Sequence, residues 1–331
     1  MQLVISTYGT YLHKKDDCFE VKLKDEKHRI SANKVDSILI ATGVILSNDA
    51  IELAVKNNID IVFLDGFGNP YARIWQPQFG STTLIRRKQL ELADSDKGLA
   101  LVTEWVQRKM TNQIDFLNEL ARQRPPKAEK VAEYCSKIES SRQKLEQLSG
   151  SVEQKRSEIL GLEGSAGRAY FSALSLLIPE KYAFNGRSRQ PAKDEFNAML
   201  NYAYGILYSR VEKACIIAGL DPYVGFLHTD NYAKKSLVFD LIEPYRIIGD
   251  KTVFYLFSKR QVKSDFFKKI KNGMMLDKPG KQVLIAAFNE RLEMKVRHRN
   301  RNLQLKDIIQ FDCHHIANGL IKKKKKENRK Q

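Results

Sequence analysis

The order of apolar and polar positions divides the chain into two unlike parts. Near the start, Cys18, Glu20, Lys22 and Lys24 alternate with Phe19, Val21 and Leu23, the two-residue period of a strand buried on one face. Val35, Ile38, Leu39 and Ile40 make a second, more continuous apolar run. Ser47-Asn48-Asp49 offers N-capping chemistry ahead of Ile51, Leu53, Ala54 and Val55 and predicts a short helix. Ile59 to Leu64 reads as a buried strand, closed by the turn Asp65-Gly66-Phe67-Gly68-Asn69-Pro70, and Tyr71 to Trp75 as a last strand. Gln76 to Ser81 is the natural linker. Beyond it the period changes: Leu101, Val102, Trp105 and Val106, then Ile114, Phe116, Leu117 and Leu120, recur at helical spacing. Two prolines between Arg122 and Lys127 interrupt the pattern, and the polar stretch from Glu129 to Lys155 predicts an exposed helical hairpin. The expectation is an α+β protein: a β-rich domain over 1–77, a linker over 78–90, an all-α domain over 91–321 and a basic tail over 322–331.

Composition changes this picture in one respect, through charge. Of 331 residues, 56 are Lys or Arg and 39 are Asp or Glu, a formal net charge of +17. Residues 251–331 hold 22 of the basic residues against 7 acids, a surplus of 15, which leaves only 2 for the first 250 positions. A basic region so concentrated is the expected footprint of a nucleic-acid partner, because cations that neutralise phosphates release condensed counterions. Aromatic residues interleave with it: Phe254, Tyr255 and Phe257 precede Lys259-Arg260, and Phe266-Phe267 precede Lys268-Lys269. The alternative for each cluster is a solvated helix face over core aromatics. The tail from Lys322 to Lys330 is of low complexity and suits loose phosphate attraction. No apolar run reaches membrane-span length, and the N-terminal segment lacks the features of a signal peptide. Cys18, Cys135, Cys215 and Cys313 are scattered, which predicts a soluble, cytoplasmic protein with neither a disulfide framework nor a zinc knuckle. No P-loop or Rossmann glycine pattern is present.

Three segments carry candidate chemistry. In Ile159 to Phe171 a single carboxylate, Glu163, sits among small and apolar residues, at the start of a helix whose core face runs through Leu174 and Leu177. It needs either an arginine partner or a metal. Pro222 to His228 is an apolar run ending in an imidazole, which suits a satisfied core histidine or a ligand. In Ser236 to Arg246 the acids Asp240 and Glu243 are three apart, on one face of a helix and among apolar neighbours. They repel unless a cation joins them or Arg246 pairs with one. Taken jointly, one imidazole and two or three carboxylates favour a hard divalent cation, and on a basic protein they suggest phosphodiester chemistry.

At these residues the sequence resembles a known family, the CRISPR-associated endonuclease and integrase of the adaptation step, the larger subunit of the spacer-acquisition complex. Tyr8-Gly9-Thr10-Tyr11-Leu12 and Ile61 to Asp65 are similar to its β-domain. More specific are Leu160-Gly161-Leu162-Glu163-Gly164, the block from Phe184 to Leu200, and His228 followed by Ser236 to Arg246. The resemblance implies that Glu163, His228 and Glu243 bind Mn²⁺ or Mg²⁺ with Asp240 as a supporting carboxylate. It also implies that Arg187, Arg189 and Asn197 meet DNA, Asn197 alternatively as a structural cap. Arg246, Lys259 and Arg260 complete the candidate DNA contacts. Ile247, where family members often have proline, and Lys234-Lys235 are minor departures.

The implied partners are a short DNA duplex with 3′-hydroxyl ends, CRISPR repeat-leader DNA, a second copy of the chain and a dimer of the small second adaptation subunit. A homodimer also fits the β-module, whose buried runs exceed the needs of one small domain. The competing readings are a non-catalytic basic scaffold and a metal-dependent nuclease of branched DNA repair intermediates. Asp312, Cys313, His314 and His315 lack a ligand pair at proper spacing for a transition metal, and His298 reads as part of a phosphate-facing surface. Arg86-Arg87-Lys88 suits DNA contact or a solvated helix start equally.

Overall fold

The computed structural model describes residues 1–24, 26–75, 83–93, 95–228 and 234–321. The first 75 residues form two four-stranded sheets. One has the order β1 (Gln2–Ile5), β5 (Ser37–Ile40), β7 (Asp60–Leu64) and β8 (Pro70–Ile74), with β1, β5 and β7 parallel and β8 antiparallel. The other has the order β4 (Glu26–Ser31), β3 (Cys18–Leu23), β2 (Thr10–Lys15) and β6 (Val44–Leu46). Helix α1 (Asn48–Lys56) starts where Ser47 Oγ accepts a hydrogen bond from the Ala50 amide at 3.4 Å.

The unbroken apolar runs of β5 and β7 follow from burial on both faces. Ile38, Ile40 and Ile61 enter the core of the β-domain, with Leu12, Phe19 and Leu53. Their alternates Leu39, Val62 and Leu64 enter the core of the helical domain instead. The excess of buried strand surface that suggested a second copy is therefore consumed within the chain itself. Polar links reinforce the junction: Arg73 pairs with Asp60 and donates to Ser209 O at 3.1 Å and Glu212 Oε2 at 3.2 Å, while Lys213 Nζ lies 2.8 Å from Asp60 Oδ1. The turn between β7 and β8 presses so closely on the next domain that a Cβ at Gly205 would fall 2.1 Å from the Gly68 carbonyl oxygen.

The expected linker is helical where it is described: α2 spans Thr83–Ala93, and residues 76–82 lie outside the described residues, as does the tail 322–331. Long helices follow, α3 (Asp96–Arg122), α4 (Ala128–Glu146) and α5 (Val152–Leu177), with α4 packed on both others. Glu163 thus lies mid-helix rather than at a helix start. Helix α6 (Glu195–Ile217) is buried on most sides and packs against α7 (Ser236–Ile242), α8 (Arg246–Ser258), α9 (Lys278–Glu293) and α10 (Leu305–Ile321).

This part is mostly helical but not wholly so. Two hairpins interrupt it, β9 (Phe267–Ile270) with β10 (Gly273–Leu276), and β11 (Lys295–His298) with β12 (Arg301–Gln304). Both turn through left-handed residues, Asn272 in the first and Arg299 and Asn300 in the second. Asparagine tolerates that conformation and permits a tight turn. Among the described residues no helix is long and apolar enough to cross a membrane.

Candidate active site

His228 is placed by its backbone before its ring is considered. Asp240, fully buried on α7, accepts hydrogen bonds from the amides of Phe226 (2.6 Å), Leu227 (3.1 Å) and His228 (3.0 Å) and from the His228 ring at Nδ1 (2.6 Å). A carboxylate only accepts, so Nδ1 carries the proton and Nε2 becomes the nitrogen with which the ring can face a ligand. Arg156 of α5 grips the same loop from the carbonyl side, donating to Leu227 O at 3.0 Å and Phe226 O at 3.4 Å. Gln89 of α2, fully buried, donates to Asp221 O (2.9 Å) and Val224 O (2.8 Å) and accepts from the Asp221 amide (2.9 Å).

Glu163 and Glu243 meet at one cation. The Lys109 ammonium of α3 lies 2.5 Å from Glu163 Oε1 and 2.6 Å from Glu243 Oε2. Arg246 takes the other oxygen of Glu243, with Nε and Nη2 each 2.8 Å from Oε1. Glu243 is buried, so both of its oxygens depend on these two cations for compensation. Burial would raise the Glu243 carboxyl, but Arg246 and Lys109 outweigh it and hold it well below the usual carboxylate range. Burial would likewise lower Lys109, but Glu163 and Glu243 raise it. For His228, burial lowers and Asp240 raises, aided by the charges of Glu243 and Glu163, and the net direction is upward. On the exposed side of Glu163 there is room: a Cβ at Gly167, one helical turn further on, would meet nothing within 4 Å.

These residues fit a hard divalent cation. Two carboxylate oxygens already converge on a single positive charge, and the nearby imidazole has its other nitrogen committed by a carboxylate. Among the described residues no three His, Cys, Asp or Glu side chains form a preformed cage, because the ammonium of Lys109 stands between the two acids.

The candidate acids therefore do two different things. Glu163 and Glu243 share a cation, whereas both oxygens of Asp240 are consumed by the loop it shapes, so Asp240 positions His228 rather than joining a ligand set. Glu243 follows Asp240 by three residues at the point where α7 passes into a 3₁₀ turn.

The candidate DNA contacts scatter. Arg187 lies over the Phe171 and Tyr204 rings at 5.9 and 5.3 Å and donates to Asn197 Oδ1 at 2.9 Å. Burial pushes it down to about 10. Arg246 shares the Tyr204 ring at 4.6 Å, so Arg187 and Arg246 converge beside Glu243. Asn197 is 0% exposed. Its Oδ1 accepts from Arg187 and from the Ser188 amide, and its Nδ2 donates to Gly186 O and Asp194 Oδ2. It is a structural cap with nothing left for DNA. Arg189, Lys259 and Arg260 are exposed; Arg189 borders this network, its carbonyl accepting from the Asn201 side-chain amide that also holds Arg187, while Lys259 and Arg260 lie at the end of α8. Arg86 pairs loosely with Asp221 at 3.5 Å.

A family model described as CRISPR-associated protein Cas1 matches residues 3–290. A CRISPR-associated endonuclease Cas1 of Archaeoglobus fulgidus is 37% identical over 322 residues, covering 93% of each chain. The chain belongs to the Cas1 family.

The fold agrees. A casposase bound to its integration product superposes with a TM-score of 0.83 at 24% identity, over 98% of this chain and 92% of that one. A chain of a Cas6-RT-Cas1–Cas2 complex gives 0.78 at 22% identity, over 97% of this chain and 35% of that one. Within this Cas1 scaffold, Lys109, Gln89 and Arg156 are the site residues that sequence reasoning missed. Lys109 had left a trace: it lies four positions after Trp105, on the buried stripe of α3, where a lysine is out of place. Gln89 left none, being one polar residue among others in a short helix of mixed composition.

Proposed function

We propose that this Cas1 chain is a metal-dependent DNA endonuclease and integrase that joins short DNA fragments to a CRISPR array. The observation that carries the reading is the convergence of Glu163 and Glu243 on one cation position beside an imidazole oriented by Asp240. Glu163, Glu243 and His228 Nε2 would hold Mn²⁺ or Mg²⁺. Bound there, the cation supplies Lewis-acid polarisation of a phosphoryl oxygen.

In the joining step a terminal 3′-hydroxyl oxygen forms a bond to the target phosphorus. The existing bond from phosphorus to the 3′-oxygen of the target strand breaks, and that oxygen takes a proton. One phosphodiester replaces another, so no protein nucleophile is required. Asp240 keeps the ring of His228 in one tautomer, Arg246 fixes Glu243, and Arg187 brings a second guanidinium to phosphates nearby.

The partners proposed are DNA, a second copy of this chain and the small second adaptation subunit. The neighbours support the DNA and the small subunit, one being bound to an integration product and one belonging to a complex with Cas2. Cytoplasmic residence suits the four free cysteines.

The test uses a branched DNA resembling a half-integrated fragment, incubated with the full chain in Mn²⁺ and followed on a denaturing gel. Rejoining of the flanking strand, abolished by EDTA and by His228→Ala, is expected. Rejoining that survives EDTA overturns metal dependence.

A further inference from the structure

The β11–β12 hairpin is unused by the site above, and it lies beyond the residues matched by the family model. Lys295, Arg297, Arg299 and Arg301 are all exposed on it within seven positions. Lys295, Arg297 and Arg301 have no carboxylate partner among the described residues. On α4 and α5, by contrast, several basic residues are neutralised by neighbours one turn away, as in Lys130–Glu133, Arg142–Glu139, Lys155–Glu158 and Arg156–Glu153. The register pairs Val296 with Leu303 and Arg297 with Asn302. Val296 and Leu303 pack against the helical core, which turns Lys295 and Arg297 outward together.

The hairpin is not loosely attached. Asp312 of α10, its side chain 6% exposed, lies 2.7 Å from His298 Nε2 and 3.4 Å from Arg299 Nε. The same carboxylate takes Arg108 Nη1 at 2.9 Å and the Tyr245 hydroxyl at 2.7 Å. Arg108 adjoins Lys109, and Tyr245 follows Glu243 by two residues. One buried acid thus ties the hairpin to the neighbours of both active-site partners. This corrects the reading of His298 as phosphate-facing: the ring points inward. It also settles the Asp312–His315 cluster, whose acid is engaged by four donors while His314 and His315 are exposed.

We propose that the β11–β12 hairpin is a nucleic-acid contact surface, gripping backbone phosphates through Lys295 and Arg297, and that Asp312 is the positioning residue that holds it in register with the active site. The choice of DNA as partner rests on the function proposed above; the surface itself rests on its unpaired charge and its anchoring.

The experiment measures equilibrium affinity for duplex DNA across salt, without divalent metal, so that it stands apart from any failure of strand joining. In Lys295→Gln/Arg297→Gln, both sites exposed, the slope of log affinity against log salt should shrink by about 1.8, the loss of two phosphate contacts. A control, Lys130→Gln on α4, should leave it unchanged. Asp312→Asn removes a negative charge, which by itself strengthens attraction to DNA. A released hairpin should instead weaken binding roughly threefold, and that loss should vanish in the Lys295→Gln/Arg297→Gln background. An unchanged slope in the double variant overturns the surface. Losses that simply add, or tighter binding in Asp312→Asn, overturn the positioning role.

Discussion

His228 and His298 each lean on a buried aspartate, at 2.6 and 2.7 Å, yet the two rings face opposite ways. Asp240 takes Nδ1 of His228 together with three successive amides, so it shapes one loop and leaves the far edge of the ring to the site. Asp312 takes Nε2 of His298, turning the tip of that ring into the protein against the edge of Phe311. Its remaining contacts are side chains from α3 and from the turn after Glu243, so it joins elements where Asp240 folds a single segment. The same two residue types thus leave a ring nitrogen turned to the site in one place and make a rivet in the other. The nitrogen that the carboxylate selects decides which.

The sharpest way to break the comparison is on reaction rate. Asp240→Asn should cut strand joining by about 10- to 100-fold, as loss of an orienting partner does. His298→Ala should leave the rate of a saturated enzyme within about threefold. Equal losses in a gel assay would erase the distinction.

Stability should show the reverse emphasis. Asp312→Ala strands Arg108, Tyr245 and His298 and should cost about 3–5 kcal/mol, read as the midpoint of urea unfolding. Lys109→Met should cost a similar amount in metal-free protein, because it leaves Glu163 and Glu243 facing each other. Added Mn²⁺ should restore most of that loss for Lys109→Met and none of it for Asp312→Ala. Restoration of both, or of neither, would place the cation site elsewhere.

A third buried aspartate sharpens the contrast further. Burial dominates at Asp250 and pushes it up to about 6. The Tyr204 and Tyr170 hydroxyls, with Arg246 and Lys109 farther off, only partly oppose that rise. At Asp312 burial also raises, but Tyr245, Arg108 and His298 outweigh it and bring the group below its ordinary value. A carboxyl raised in the folded state binds its proton more tightly there. Asp250 therefore withdraws stability as pH climbs from about 4 through about 6, on the order of 2–3 kcal/mol in total. Asp312 does the opposite, contributing stability that is lost as pH falls through its depressed value. Asp250→Asn should remove its share of the pH dependence of melting temperature between pH 4 and 6. An unaltered profile would mean that Asp250 is charged throughout.

The β-domain was legible in the alternation of Phe19, Val21 and Leu23 and in the cap at Ser47, because those signals are local. The short strand β6 and the two later hairpins were not, since three or four residues carry too little period, and neither was β4, whose six residues are mostly charged or polar and suggest surface. Glu163, His228, Asp240 and Glu243 stood out as polar groups in apolar company, sharpened by the family resemblance. Their division of labour did not stand out: it depends on Lys109, 54 positions from Glu163, and on Gln89, 132 positions from the loop it pins. No spacing rule reaches across such distances. Asn197 was left between a structural cap and a DNA contact, and only the fold, which uses all its hydrogen-bonding groups, separates the two.

The two-faced sheet carries a hazard of its own. When only one side of a strand is apolar, a slip of one residue exposes the wrong side chains and is rejected. In β5 and β7 both sides are apolar, so a misaligned pair would look almost as well buried as the true one. What distinguishes them is polar: Ser37 faces Asp60 at the head of the two strands, and Asp60 is claimed there by both Arg73 and Lys213. The true alignment is therefore singled out by a buried acid, and a change at Asp60 should both strand Arg73 and Lys213 and weaken the discrimination against a slipped pair.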